Sequence, residues 1–297
     1  MFNIVICIPT YKRPQMLKKL LLSIIENNVN KALIKDINII VIDNDVDKTA
    51  EKISQEVKKE FYEYHKLNYY NYPEKGLANV RNEMFERALE YNPDYIACID
   101  DDEYASSDWI NQLILTITSN NGEIAVGPVI KIIESKVSPY ISYWFKTPNI
   151  DNNKKIEYFR TGNFIINVNF LQESKVKFDC KFNSTGGEDT HFGAKAIKQG
   201  ANLFWAANAI VYETTPENRA NINWLIKRRY TNANNYTYIL FLEKKYTKLL
   251  KKICVNFIYL VLGLISLVIL PFRFKFKYWG ILKLAESIGS FAGLVRK

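Results

Sequence analysis

The sequence predicts an α/β domain with a mostly parallel central sheet flanked by helices, followed by an apolar and basic helical tail. Three observations carry this. Short apolar runs at 3–8 (NIVICI), 37–42 (INIIVI) and 95–99 (YIACI) read as strands buried on both faces. Segments with helical spacing alternate with them, the pattern of βαβ units. Each run stops on polar punctuation, at Pro9-Thr10, Asp43 and Asp100.

The elements follow in order. After the first strand, Leu17, Leu20, Leu21, Ile24 and Ile25 recur at helical spacing, with Pro14 near the first turn. A polar helix is predicted over 49–62 and an aromatic strand near 67–72. Val80, Met84 and Ala88 place a helix over 79–91, and Asp108 is expected to cap another over 109–119. Strand-like runs occupy 124–131, 164–168 and 203–212. A helix should start at Glu188, and Thr215-Pro216 should open a long basic helix to about Tyr246. No internal repeat or low-complexity linker is visible, so the expected division is a catalytic domain over 1–246 and a tail over 247–297.

Composition narrows the function. With 297 residues, 48% of them hydrophobic and 14% aromatic, the chain supports a buried core and is neither disordered nor fibrous. Cys7, Cys98, Cys180 and Cys254 are scattered without a CxxC pair, which argues against a disulfide scaffold or cysteine zinc site and suits a reducing compartment. Two histidines, His65 and His191, exclude a histidine-rich metal site. The run at 3–8 is too short for a signal-peptide core and meets Pro9 directly. The net charge of +9 would ordinarily suggest nucleic acid or an anionic membrane. Residues 227–297 hold 14 basic and two acidic side chains, a net +12, which leaves −3 for residues 1–226. A mildly acidic body is a poor nucleic-acid surface, so no nucleic-acid partner is expected.

The tail explains the excess. Residues 253–272 carry no charge, about 30 Å of helix, with Lys244, Lys245, Lys248, Lys251 and Lys252 before them and Arg273, Lys275 and Lys277 after. Asn256, Gly263 and Pro271 weaken a plain spanning helix. A span, a re-entrant hairpin and an interfacial helix all remain open, as does a soluble core helix; the flanking lysines favour anionic headgroups.

The acids carry the chemistry. Ligands of open α/β sheets sit beyond the carboxyl ends of strands, so Pro9-Thr10, Asp43 and Asp100-Asp101-Asp102-Glu103 should meet in one crevice. Four consecutive acids repel one another unless a cation relieves them, and hard oxygen donors suit Mg²⁺ or Mn²⁺ with substrate phosphates; a solvated acidic turn is the plain alternative. Gly186-Gly187-Glu188-Asp189 opens a helix whose dipole favours acids, so simple capping would also explain it. Lys227-Arg228-Arg229 could pair with a diphosphate or face solvent or lipid.

The order of these pieces is more specific than any one. Ile8-Pro9-Thr10-Tyr11-Lys12-Arg13-Pro14, Val41-Ile42-Asp43-Asn44, Gly76-Leu77-Ala78-Asn79-Val80-Arg81-Asn82, Ile99-Asp100-Asp101-Asp102-Glu103 and Gly187-Glu188-Asp189 resemble the family 2 glycosyltransferases of the GT-A fold over about 2–230. Within that family the chain is similar to bacterial enzymes that extend surface polysaccharides, judged by Tyr212-Glu213, Pro216-Glu217-Asn218-Arg219 and the Arg-bearing helix beyond. The resemblance implies an inverting transfer from a nucleotide sugar, a UDP-sugar foremost, to a glycan or lipid-linked acceptor. It places Pro9, Thr10 and Arg13 in the first nucleotide loop, Asp43 on the base and Arg81 near the nucleotide. Asp100-Asp101-Asp102 matches the DxD motif, with Asp102 the direct ligand of Mn²⁺ or Mg²⁺ and Asp100 near ribose and metal. Asp189 matches the general base, with Glu188 beside it. Arg228 or Arg229 stands where the family often has QxxRW, a motif this chain lacks, and Asn44-Asp45 replaces the commoner Asp-Gly-Ser. An enzyme of this kind would work at the cytoplasmic face of the inner or plasma membrane. Rival readings are a polyprenyl-phosphate acceptor, a sugar-phosphate nucleotidyltransferase and a membrane-attached binding module with a degenerate site.

Overall fold

The computed structural model describes residues 1–61, 65–269 and 274–296. In chain order the elements are β1 (Phe2–Thr10), α1 (Pro14–Ile25), β2 (Ile34–Asp43), α2 (Glu51–Lys58), β3 (His65–Asn71), α3 (Leu77–Leu89), β4 (Tyr95–Ile99) and β5 (Glu103–Ala105). Next come α4 (Trp109–Ser119), β6 (Ile124–Val126), β7 (Val129–Ile133), α5 (Pro139–Ser142), β8 (Lys155–Ile156), β9 (Asn163–Asn167), α6 (Val168–Ser174) and α7 (Glu188–Lys198). The chain closes with β10 (Leu203–Trp205), β11 (Val211–Thr215), α8 (Ile222–Leu242), α9 (Tyr246–Ile269) and α10 (Phe274–Leu294). Two compact units result: 1–132, 147–183 and 192–214 form the first, while 133–146, 184–191 and 215–297 form the second. Helix α8 thus groups with the tail helices, whereas the sequence division at 246 follows the change in composition.

The first unit is built on an eight-stranded sheet of order β3-β2-β1-β4-β9-β6-β10-β8. Strands β3, β2, β1 and β4 are mutually parallel, with Thr10 level with Asp43 and Cys7 with Cys98, so β1 and β2 end side by side. Strand β9 runs antiparallel to β4 and β6. Because side chains alternate across a strand, Ile4, Ile6 and Ile8 pack under α1 and α4 with Leu17, Leu21, Trp109 and Leu113, while Val5 and Cys7 face Val80, Met84, Phe85 and Phe192 from α3 and α7. Burial on both faces is why these strands read as unbroken apolar runs.

Two of the runs read as single strands are broken. Residues 124–131 divide at Gly127-Pro128 into β6 of the main sheet and β7 of a three-stranded sheet ordered β5-β11-β7. Asn163 holds the break: its amide donates to Pro128 O (3.0 Å) and Ala209 O (2.6 Å), while its Oδ1 accepts from Trp109 Nε1 (2.8 Å). Residues 203–212 likewise divide into β10 and β11. The helix expected over 49–62 is shorter, ending at Lys58, and Tyr62 lies outside the described residues. Asp108 precedes α4 without capping it; its carboxylate accepts instead from Asn111 Nδ2 (2.6 Å) and Gln112 Nε2 (2.5 Å).

In the second unit, Asn221 caps α8 by accepting from Trp224 N (3.0 Å). Thr215 ends β11 and Glu217–Arg219 forms one short 3₁₀ turn, so the helix begins later than the sequence suggested. Helix α10 was not anticipated as a separate element. It lies close on α8, because a Cβ at Gly289 would strike Tyr230 O and one at Gly293 would strike Asn234 O. Gly263 of α9 and Gly280 of α10 allow a similar approach, with Asn256, Ser266, Ser287 and Ser290 all buried. Large apolar residues of α9 instead face outward: Leu250, Phe257, Ile258, Val261, Leu264 and Ile265 are each more than 40% exposed. Residues Tyr246–Leu267 are long and apolar enough to cross a membrane by length and composition. Leu270, Pro271 and Phe272 of the predicted segment and the flanking Arg273 lie outside the described residues.

Candidate active site

In the first unit the loops after β1 and β4 meet. Lys12 adopts a left-handed conformation (φ 56°) that turns the chain from Pro9-Thr10, both buried, into α1. Thr10 Oγ1 donates to Asp101 Oδ2 at 2.8 Å. Arg13 Nη1 donates to Asp101 Oδ1 and to Asp102 Oδ2, both at 3.0 Å. Thr10, Arg13, Asp101 and Asp102 are therefore one constellation; the strand ends anticipated the approach of Thr10 to the acids, and Arg13 joins them from the loop after β1. Arg81 on α3 is buried, its Nη2 lying 3.4 Å from Asp100 Oδ1 and its guanidinium above the Phe178 ring.

The acids remain under strain of charge. Burial pushes the Asp101 carboxyl up to about 6, against the pull of Arg13 and Thr10. Burial, then repulsion from Asp100, raises Glu103 well above the usual carboxylate range. Glu103 was not singled out as a site residue; it accepts from the Asp100 amide (3.2 Å), and Gly162 leaves no room for a Cβ beside it. Among the described residues no three His, Cys, Asp or Glu side chains gather as a ready-made metal cage. Asp100 and Asp102 nevertheless fit Mg²⁺ or Mn²⁺, because such ions commonly take one or two carboxylates and complete their shell with substrate phosphates and water. Burial, the first cause of the raised Asp101 and Glu103, disfavours further negative charge in this loop.

Asp43, the residue expected at the base, makes its contacts within the fold. Its side chain is fully enclosed and accepts from Asp45 N (2.9 Å), Ala50 N (3.0 Å) and Tyr69 Oη (2.9 Å). Those bonds hold the loop 44–50 closed. Asp45 is buried too: burial alone would raise its carboxyl, but the Thr49 hydroxyl, the Asp47 amide and Lys12 hold it below the usual carboxylate range. Asp45 Oδ2 is buried with no hydrogen-bond partner among the described residues. Asn71, equally unmarked in sequence, ties the loop by donating to Asp43 O (3.0 Å) and Asp45 O (2.7 Å).

The second unit holds the other candidates. Gly186 (φ 69°) and Gly187 (φ 96°) turn the chain into α7. A Cβ on Gly187 would sit 2.9 Å from Asn235 Cβ. Glu188 is buried and Asp189 half-buried. Asp189 Oδ1 accepts from the Thr190 amide (2.6 Å) and hydroxyl (3.1 Å), and Oδ2 has no hydrogen-bond partner among the described residues. His191 is buried, with Nε2 3.1 Å from Glu243 Oε1. Arg228 is exposed, while the Arg229 guanidinium lies 4.3 Å from the Trp144 ring centroid, so an indole already occupies one of the two proposed diphosphate arginines.

The comparisons extend this geometry. Residues 5–175, more than half of the chain, match the family described as Glycosyl transferase family 2. The succinoglycan biosynthesis protein ExoM of Rhizobium meliloti (strain 1021) is 25% identical over 237 residues, covering 78% of this chain and 73% of that protein. Chondroitin synthase of Escherichia coli is 26% identical over 253 residues, covering 73% of this chain and 35% of that enzyme. Among solved structures, S. aureus TarS 1–349 in complex with UDP-GlcNAc superposes with a TM-score of 0.58 at 13% identity, over 84% of this chain and 72% of that one. That likeness is one of fold, and it is the GT-A-like α/β arrangement. The matched stretch contains the strand ends that carry Thr10, Arg13 and Asp100-Asp101-Asp102, and the chain belongs to glycosyltransferase family 2.

Proposed function

We propose that the protein transfers a sugar, with inversion, from a nucleotide-sugar donor to an acceptor hydroxyl in surface-polysaccharide biosynthesis. The observation that carries this is the Thr10–Arg13–Asp101–Asp102 constellation at the carboxyl ends of parallel strands, where such sheets bind ligands. A relative named for succinoglycan biosynthesis supports a glycan product, and a structural neighbour in complex with UDP-GlcNAc supports a UDP-sugar donor.

Thr10 and Arg13 would orient the donor, Arg13 meeting the diphosphate as a fork of N–H donors. Arg81 adds positive charge beside Asp100. Mn²⁺ or Mg²⁺ held by Asp102 and Asp100 would supply Lewis-acid neutralisation of the leaving diphosphate. An acceptor hydroxyl is a weak nucleophile near neutral pH, so a carboxylate must take its proton. Asp189 Oδ2 is the oxygen available for that, with Oδ1 fixed by Thr190 and Glu188 beside it. The acceptor oxygen then bonds to the anomeric carbon as the bond to the diphosphate oxygen breaks, and the nucleoside diphosphate leaves with that electron pair.

Acceptor and location go with the tail. The outward apolar face of α9, with exposed Lys244, Lys248 and Lys251 at its start, suits an anionic membrane, and a lipid-linked glycan acceptor would be met at its cytoplasmic face.

Purified full-length protein with UDP-sugars, a glycan acceptor and Mn²⁺ tests the reading by nucleotide release. Asp189→Asn should abolish transfer, at least about 10³-fold, while donor binding survives. Near-normal turnover in that variant would refute the assignment of the base.

A further inference from the structure

The last residues of the chain reach the turn that precedes Glu188-Asp189. Arg296 Nη2 donates to Thr185 Oγ1 at 2.6 Å, and Nη1 donates to Asn235 Oδ1 at 2.8 Å. Asn235 in turn donates from Nδ2 to Thr185 O at 3.0 Å and lies against Gly187. The Arg296 guanidinium stacks 4.4 Å from the Tyr238 ring centroid. Guanidinium, carboxamide, hydroxyl and main-chain carbonyl thus form one closed network around Thr185-Gly186-Gly187. The two glycines have no side chains to fix their conformation, so the turn depends on its neighbours for order. Gly289 and Gly293 carry Arg296 to this position by letting α10 lie directly on the backbone of α8.

The geometry points to Arg296 as a positioning residue for the reaction, which together with Asn235 pins the Thr185–Gly187 turn and so sets where the Asp189 carboxylate stands. This rests on the reading of Asp189 as the base. A planar fork suits the task, since it holds the Thr185 hydroxyl and the Asn235 carboxamide at once while stacking on a ring; an ammonium group would make such contacts one at a time. The consequence is that the far end of the apolar tail bears on the catalytic turn as well as on attachment.

The experiment compares wild type with Arg296→Ala, Arg296→Lys and Asp189→Asn as full-length chains, reading kcat, donor KM, and amide hydrogen exchange of the peptide 184–191. Arg296→Ala should lower kcat about ten- to a hundredfold with donor KM unchanged. It should also speed exchange in 184–191, and guanidinium ion added to the assay should restore part of kcat. Arg296→Lys should fall in between. Wild-type kcat and exchange in Arg296→Ala overturn the proposal. A fall in kcat without faster exchange in 184–191, or without any response to guanidinium, overturns it too, because the loss would then be general destabilisation. Near-normal turnover of Asp189→Asn would remove the base reading, while the exchange data would still decide whether Arg296 orders the turn.

Discussion

Arg13 Nη1 stands 3.0 Å from Asp102 Oδ2, so the carboxylate assigned to the metal already shares a cation with its neighbour Asp101. Burial works against the Arg13 charge, but Asp101 and Asp102 more than compensate, and the guanidinium is held firmly protonated. A divalent cation held by Asp102 would therefore draw on the same negative charge as Arg13. Arg13→Gln should bind Mn²⁺ several-fold more tightly in the absence of nucleotide and bind the donor several-fold more weakly, both read by titration calorimetry. Weaker Mn²⁺ binding in the variant would mean that Arg13 shapes the site rather than competing within it.

Asp101 makes stability depend on pH in the direction opposite to an ordinary ion-paired carboxylate. Its folded pKa is about 6, against 3.8 as a free side chain. Between those values the folded chain retains a proton that the unfolded chain has lost, so stability falls as pH rises from about 4 to 6 and stays lower above. The shift corresponds to on the order of 2–3 kcal/mol at neutral pH. Asp101→Asn should melt at a higher temperature than wild type at pH 7.5, with the gap closing as pH falls toward 4, and should lose transfer because Arg13 loses a carboxylate. A gap that is the same at both pH values would exclude the buried charge as its source.

Gly187 and Gly200 separate backbone strain from collision. Both have left-handed φ, 96° and 97°, yet a Cβ at Gly200 meets nothing within 4 Å whereas one at Gly187 meets Asn235 at 2.9 Å. Gly200→Ala should cost about 1 kcal/mol. Gly187→Ala should cost more, about 2–3 kcal/mol, and should also lower kcat because the displaced Asn235 is part of the turn's network. Thermal denaturation of both variants checks the order; equal losses would mean that Asn235 yields freely.

Much of the first unit was legible because burial on both faces leaves an unmistakable mark. Strands β1, β2 and β4 read correctly since Ile4 to Ile8 alternate between two cores and both are apolar. The break in 124–131 falls at Gly127-Pro128, where proline has no N–H to give to a ladder, and the bonds of Asn163 to the Pro128 and Ala209 carbonyls hold the chain there. At the site, strand ends predicted the meeting of Thr10 with the acids after β4, because β1 and β4 run parallel side by side. The three internal bonds of Asp43 were not legible, since they come from a loop whose closure no local pattern announces. The contact of Arg296 with Thr185 spans 111 positions and depends on how α10 crosses α8, which composition alone does not reveal.

Helix α9 is built inside out relative to a soluble bundle helix. Its buried side carries Asn256, Gly263 and Ser266, while Phe257, Ile258, Val261, Leu264 and Ile265 face outward. Small and polar residues between helices with apolar residues outside is the arrangement expected in lipid, where close backbone approach and interhelical polar contacts replace the hydrophobic effect. The same face in water would be an unusually large exposed apolar patch. Phe257→Glu combined with Ile265→Glu in the full-length chain leaves the α9–α10 contact untouched and should abolish flotation with anionic vesicles. Each loss of a large apolar group from lipid costs about 1.5–3 kcal/mol, so the pair should weaken partitioning by at least about a hundredfold. Wild type should remain bound in 1 M salt, because screening removes the lysine contribution and not the apolar one. Release of wild type by salt alone would make the lysines the whole anchor, and undiminished flotation of the double variant would exclude α9 from the attachment.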